Sequence, residues 1–232
     1  MKTKEKIKKI SVLLNKEYGK KVWRSRGEPL SVLIGTILSQ NTSDNNSHQA
    51  FENLKRSFKN WESVRKAPIN KIENAVRHGG LAKIKAKRIK DILNQIKNDN
   101  HNTSLSQLRK MKTQEVIDYL GKFKGVGEKT IACVLLFSLG RPFIPVDTHV
   151  FRLSKRLGLI PKKADSNKAH TILQKEVYPN LVYSFHLNLI RHGREVCKAK
   201  NPSCGDCVLF DLCQAPEKNK FIKKGERLYA KN

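Results

Sequence analysis

The sequence predicts an all-α protein. Apolar residues recur at helical spacing along nearly the whole chain, and no run alternates apolar and polar as a half-buried strand does. Proline, glycine and capping residues interrupt the pattern often enough for about ten short helices. The 232 residues are 38% hydrophobic, which gives either one large domain or two small ones a packed core.

In chain order, Ile7, Ile10 and Leu14 mark the first helix. Leu30, Leu33, Ile34, Ile37 and Leu38 form a stripe after Pro29. Phe51, Leu54, Phe58 and Trp61 form the next. Ile69, Ile72 and Val76 follow Pro68, a residue suited to a first helical turn, and Gly79-Gly80 stops that helix. Ile89, Ile92, Leu93 and Ile96 face inward on a helix whose other side carries Lys83, Lys87 and Lys90. Val116 and Leu120 belong to a short helix opened by Thr113. Ile131, Val134, Leu135 and Leu139 run on to Arg141-Pro142. Val150, Leu153 and Leu157 follow Asp147; Ile172, Leu173 and Val177 precede Tyr178-Pro179; Leu181, Phe185, Leu189 and Ile190 end near Gly193. The lysine-rich stretch 215–232 has few apolar anchors and reads as a mobile or nucleic-acid-associated tail.

Charge narrows the partner. The net charge is +27, with 47 Lys+Arg against 20 Asp+Glu. That surplus exceeds what solubility asks for and points to a nucleic acid rather than to a membrane surface. No apolar run is long enough to span a bilayer, and the N-terminus lacks the apolar core of a secretory signal.

Residues 121–149 carry the densest chemistry. Gly125-Val126-Gly127 joins two helices with almost no linker, and the amides that follow open a helix N-terminus, a ready anion site. With basic surroundings the anion is a DNA phosphate, although an ordinary tight turn has the same residues. Lys129 sits in the first turn of the next helix, where the helix dipole disfavours positive charge. This suits an amine that must react in its neutral form, but a solvated surface lysine is the simpler reading of the position alone. Asp147 reads as a helix N-cap and equally as a carboxylate facing a reaction centre, roles that can coexist.

Four of five cysteines, Cys197, Cys204, Cys207 and Cys213, are spaced C-x6-C-x2-C-x5-C. An odd total and this crowding favour metal ligation in a reducing compartment over disulfides. Four thiolates suit Zn²⁺ or a [4Fe–4S] cluster, and the spacing does not choose between them. Cys133 lies in an apolar helix and reads as a small core residue.

The run Gly125-Val126-Gly127-Glu128-Lys129-Thr130-Ile131-Ala132, followed by Pro145-Val146-Asp147-Thr148-His149, resembles the helix–hairpin–helix and catalytic region of the endonuclease III family of DNA glycosylases. The likeness extends from about Pro29 to Cys213. It implies Lys129 as Schiff-base nucleophile, Asp147 as its catalytic carboxylate and a structural [4Fe–4S] cluster on the four cysteines. The loop between the first two cysteines carries Lys198 and Lys200, placed to meet the DNA backbone. It further implies two helical domains. One is a six-helix barrel with the hairpin, residues 29–141. The other is a discontinuous cluster domain of residues 1–28 and 142–214, with 215–232 as a basic tail.

Acting on a base requires taking it out of the stack. Gln40 and Asn41 can donate and accept towards base edges, unless they simply close a helix. Gln40 stands where the family has alanine, and Asn41 where it has glutamine. Leu81, after a double glycine, matches the family's intercalating wedge, though a leucine there can also be a core contact. His149 is a weaker candidate.

The expected activity is a bifunctional DNA glycosylase and AP lyase. It would excise oxidised or saturated pyrimidines from double-stranded DNA and cut 3′ to the abasic site by β-elimination. The expected protein is a monomer of the cytoplasm and nucleoid, or of the nucleus in a eukaryote. Rival readings are a monofunctional adenine or thymine mismatch glycosylase, a methylcytosine-type glycosylase, and a non-catalytic structure-specific DNA-binding protein. Lys129 speaks against the monofunctional forms, whose relatives usually lack a lysine there.

Overall fold

The structure, a computed structural model, describes residues 2–222 of the chain. Among them are eleven α-helices and five short 3-10 turns, with no strand. The chain forms two compact units, Met1–Arg24 with Pro142–Asn232, and Ser25–Arg141. It opens with α1 (Thr3–Tyr18) in the first unit. It then builds the second unit from α2 (Pro29–Leu38), α3 (Asp44–Ser57), α4 (Trp61–Lys66), α5 (Ile69–Val76), α6 (Ala82–Asn100), α7 (Thr113–Gly121) and α8 (Glu128–Phe137). It returns to the first for α9 (Thr148–Arg156), α10 (Ser166–Glu176) and α11 (Val182–Glu195).

In the second unit α8 is the most completely buried helix. Every residue from Thr130 to Phe137 is buried, as its unbroken apolar sequence requires. α2 packs against it with Leu30, Leu33, Ile34, Ile37 and Leu38 all inside. The Phe51–Trp61 stripe is not one helix. Phe58 turns extended, and Asn60 starts α4 with a capping box, its Oδ1 accepting from Ser63 N at 2.9 Å. Pro68 likewise stands just outside α5 as its N-cap rather than in its first turn. Residues 25–28 belong to this unit through Arg26 N, which donates to Phe137 O at 2.8 Å, and Ser138 Oγ, which donates to Gly27 O at 2.7 Å.

In the first unit α11 packs on α1 and α9. Asn188, buried on α11, donates to Asn15 Oδ1 at 3.0 Å and to Gly19 O at 3.2 Å, so it fastens the end of α1. Residues 215–222 are part of this structure rather than a loose tail. Ala215 is buried, and Lys218 Nζ donates to Phe210 O and Cys213 O, both at 2.9 Å. The rest of the basic tail, 223–232, lies outside the described residues.

Candidate nucleic-acid interface and cysteine centre

The hairpin of the second unit follows from its glycines. Val126 N donates to Phe123 O at 3.0 Å, closing the turn, and Gly125 adopts φ +82°. The positive φ favours glycine, and a Cβ on Gly125 would stand 2.3 Å from Arg88 Nε and push that guanidinium aside. Val126 is buried and holds the turn down, while Gly125 and Gly127 are exposed. Gly127 is the N-cap of α8 and offers no side-chain cap, leaving the first amides of α8 without that competitor. Lys129 follows in the first turn, half-buried, and its amine has no hydrogen-bond or ion-pair partner among the described residues.

Gln40 is tied to this hairpin. Its Oε1 accepts from Arg88 Nη1 at 2.5 Å, and its Nε2 donates to Gly125 O at 3.3 Å and Thr130 Oγ1 at 3.4 Å. The side chain therefore braces the hairpin in this conformation and is not free for a base edge. Asn41 beside it is exposed, with φ +52°. Leu81 is also left-handed, φ +51° and ψ 36°, and 52% exposed. A branched apolar residue rarely combines that backbone with that exposure.

Beneath both turns lies Lys85, 2% exposed. Its Nζ donates to Leu38 O and to Gly79 O, both at 2.7 Å. One buried ammonium thus joins the carbonyl just before Ser39-Gln40-Asn41 to the carbonyl just before Gly80-Leu81. Burial, with Arg88 nearby, pushes its pKa down from the ordinary lysine value.

In the first unit Asp147 caps α9, its Oδ1 accepting from Val150 N at 2.8 Å. This leaves the second carboxylate oxygen without a hydrogen-bond partner among the described residues. His149 faces inward to Arg152, with Nδ1 3.1 Å from Nη2.

Cys197, Cys204, Cys207 and Cys213 all line one cavity. Arg156 Nη1 donates to Cys197 Sγ at 3.2 Å. His192 Nε2 lies 3.3 Å from Cys207 Sγ, and its Nδ1 lies 2.8 Å from Tyr18 Oη. Burial pulls His192 down to about 4, so it is neutral, and one tautomer satisfies both contacts: Nε2–H towards sulfur, Nδ1 accepting from Tyr18. Burial also pushes the Cys207 thiol up to about 12, so ligation must release its proton. The Lys198–Lys200 loop turns its carbonyls inward. Arg152 holds Cys197 O at 3.0 Å, and Arg156 holds Lys198 O at 2.8 Å and Ala199 O at 3.3 Å. Lys198 and Lys200 remain exposed.

Residues 34–179 match the HhH-GPD superfamily of base excision DNA repair proteins, and residues 197–213 match the iron–sulfur binding domain of endonuclease III. The chain belongs to the HhH-GPD superfamily. A protein of Arabidopsis thaliana named as a DNA glycosylase is 43% identical over 196 residues, 79% of this chain and 67% of the relative. Endonuclease III of Sulfolobus acidocaldarius is 34% identical over 190 residues, 79% of this chain and 81% of the relative. The solved structure of a non-covalent endonuclease III–DNA complex superposes with a TM-score of 0.80 at 29% identity, covering 95% of this chain and 98% of that one.

This HhH-GPD protein is a DNA glycosylase of endonuclease III type whose cofactor is a [4Fe–4S] cluster. The cysteine cavity fits that group. Four soft thiolates surround it, while no three His, Cys, Asp or Glu side chains among the described residues converge on a single metal ion. Ligation by sulfur alone is what a [4Fe–4S] cluster uses.

The structure brings Gln40, Gly125 and Arg88 together, and separately gathers the four cysteines. Sequence reasoning missed Lys85, Arg88, Arg152 and Arg156. Lys85 carried one usable signal: it stands four residues before Ile89, on the apolar stripe of α6.

Proposed function

We propose that the protein is a bifunctional DNA glycosylase and AP lyase acting as a monomer on duplex DNA with an oxidised or saturated pyrimidine or an abasic site. The observation that carries this reading is Lys129, an unpartnered amine in the first turn of the helix that follows a glycine hairpin. Membership of a base-excision superfamily supports DNA as the substrate, and the pyrimidine lesion belongs to this reading.

The neutral Lys129 amine attacks C1′ of the extruded nucleotide. The N–C1′ bond forms as the glycosidic bond breaks, and the base leaves with the electron pair and takes up a proton. The C1′–O4′ bond then opens, the nitrogen's proton passes to O4′, and a protonated imine results. Loss of the C2′ proton expels the 3′ phosphate by β-elimination, and water releases the amine. Asp147, held by its own cap bond, serves as the catalytic carboxylate for the positive charge of these steps. Gly125, Val126 and Gly127 hold a phosphate, Asn41 meets base edges, Gln40 braces the hairpin, and Leu81 enters the stack. Cys197, Cys204, Cys207 and Cys213 hold the cluster, whose contribution when bound is to lock the Lys198–Lys200 loop. The working place is the compartment that holds the DNA, nucleoid or nucleus.

The test is borohydride trapping with duplexes carrying an abasic site, thymine glycol, uracil or mismatched adenine. Wild type should form a covalent adduct with the abasic and thymine glycol duplexes, and Lys129→Ala should form none. An adduct that survives Lys129→Ala overturns the nucleophile. Base release without trapping by wild type replaces this reading with a monofunctional one.

A further inference from the structure

Ile84 and Leu81 stand out in the second unit as large apolar side chains that are more than half exposed, at 55% and 52%. Leu81 is the N-cap of α6 and Ile84 lies in its first turn, so both sit at the exposed start of that helix. Leu81 is held in a left-handed conformation that a leucine normally avoids, and Gly80 before it has φ +66°. The turn has no side-chain cap to explain it. What holds it is Lys85, next in sequence to Ile84, whose ammonium is fully enclosed and fixed on Leu38 O and Gly79 O. The chain thus anchors this turn from below while leaving its two largest apolar groups in water. Exposed Lys83 and Lys87 flank the pair, in a chain of net charge +27. An apolar edge set between cations matches one partner chemistry: the stacked bases of a duplex, apolar between two lines of phosphate.

We propose that Ile84 and Leu81 form a two-residue apolar blade, and that Ile84 is a second residue unstacking the duplex beside the extruded nucleotide. The proposal rests on the reading of the protein as a duplex-opening glycosylase, and it concerns the opening step alone. Leu81 enters the step while Ile84, one turn further along α6, packs against the neighbouring base or sugar and keeps the gap open. Lys85 acts only through them, as a positioning residue.

The test uses the full-length protein with its cluster and a duplex carrying a tetrahydrofuran abasic analogue, which cannot be cleaved, opposite 2-aminopurine. Unstacking raises 2-aminopurine fluorescence. At saturating protein, wild type should give a large rise, Ile84→Ser about half of it or less, and Leu81→Ser less again. Ile84→Leu should restore the rise, and Val12→Ser, at an exposed apolar residue of the first unit, should leave it unchanged. A wild-type rise with Ile84→Ser overturns the proposal. So does the absence of any rise with wild type, or a change in the sedimentation of free protein on Ile84→Ser, which would make the pair a contact between copies. Lys129→Ala separates the two readings: it should keep the full rise while losing covalent trapping, so failure of the chemistry leaves the blade standing and the reverse.

Discussion

The turn at Ser39–Asn41 in the second unit and the loop at Lys198–Lys200 in the first have a common device. In both, carbonyl oxygens that would otherwise be stranded are taken by cations: Leu38 O and Gly79 O by Lys85 and the Gln40 side-chain oxygen by Arg88 in one unit, backbone carbonyls by Arg152 and Arg156 in the other. The difference is in what the cations stand on. Lys85 is enclosed beside buried Leu38, Ala50 and Gly79, so that turn is held by protein alone. The cysteine loop has three 3-10 fragments, Cys204–Asp206, Phe210–Leu212 and Lys218–Phe221, with little buried apolar surface beyond Leu209 and Ala215. A segment so poor in core needs a cross-link to stay put. The Ser39–Asn41 turn is thus built into the fold by protein contacts, while the lysine loop leans on the cysteine centre.

The largest effect that sharpens this contrast is removal of the cluster. Oxidative destruction with ferricyanide should release amide protection throughout residues 197–213, while residues 113–137 of the second unit stay protected. Structural metal sites contribute on the order of 10 kcal/mol of apparent folding free energy, which suffices to lose the loop outright. Hydrogen exchange followed by mass spectrometry reads both segments at once. Equal loss of protection in the two would break the comparison.

Next in size is Lys85→Met, which keeps the stem length and removes the ammonium. It leaves Leu38 O and Gly79 O buried without that donor, at about 1–3 kcal/mol per orphaned group. Relief of the buried charge offsets part of this, so a loss of roughly 2–4 kcal/mol is expected in urea unfolding. Exchange should rise at residues 39–41 and 80–84 and remain unchanged at 197–213. A variant as stable as wild type would mean that the two carbonyls find water instead.

Where sequence reading succeeded, the cause was local. Asp147 caps α9 because a short acidic side chain ahead of an apolar-periodic run has that use whatever surrounds it. The glycine hairpin and the four cysteines were legible for the same reason: φ sign and ligand spacing are properties of a few consecutive residues. Lys85 was not legible, because in a chain with 47 Lys+Arg a lysine among Lys83 and Lys87 reads as one more solvated charge. Its burial depends on carbonyls from α2 and from the Arg77–Gly79 turn, 47 and 6 residues away. Gln40 is the converse case. Its residue type suggests base reading, yet Arg88, 48 residues on, occupies its carbonyl oxygen. The split of the Phe51–Trp61 stripe was legible in principle, since Asn60 and Ser63 spell a capping box.

The smallest effect tests what the cluster-held loop is for. Arg152 and Arg156 consume the loop's carbonyls, so Lys198 and Lys200 are left facing solvent with nothing of the loop's own to neutralise them. If they meet phosphates, replacing either with alanine should weaken binding to undamaged duplex as much as to damaged duplex. The slope of log K against log salt should fall by about 1 per lysine. The folded loop should be untouched, because neither side-chain amine makes a hydrogen bond or ion pair among the described residues. Slopes measured by fluorescence anisotropy across a salt series decide it. A double variant with the wild-type slope would assign the loop to packing alone, and the dependence of that loop on the cluster would then have no bearing on DNA affinity.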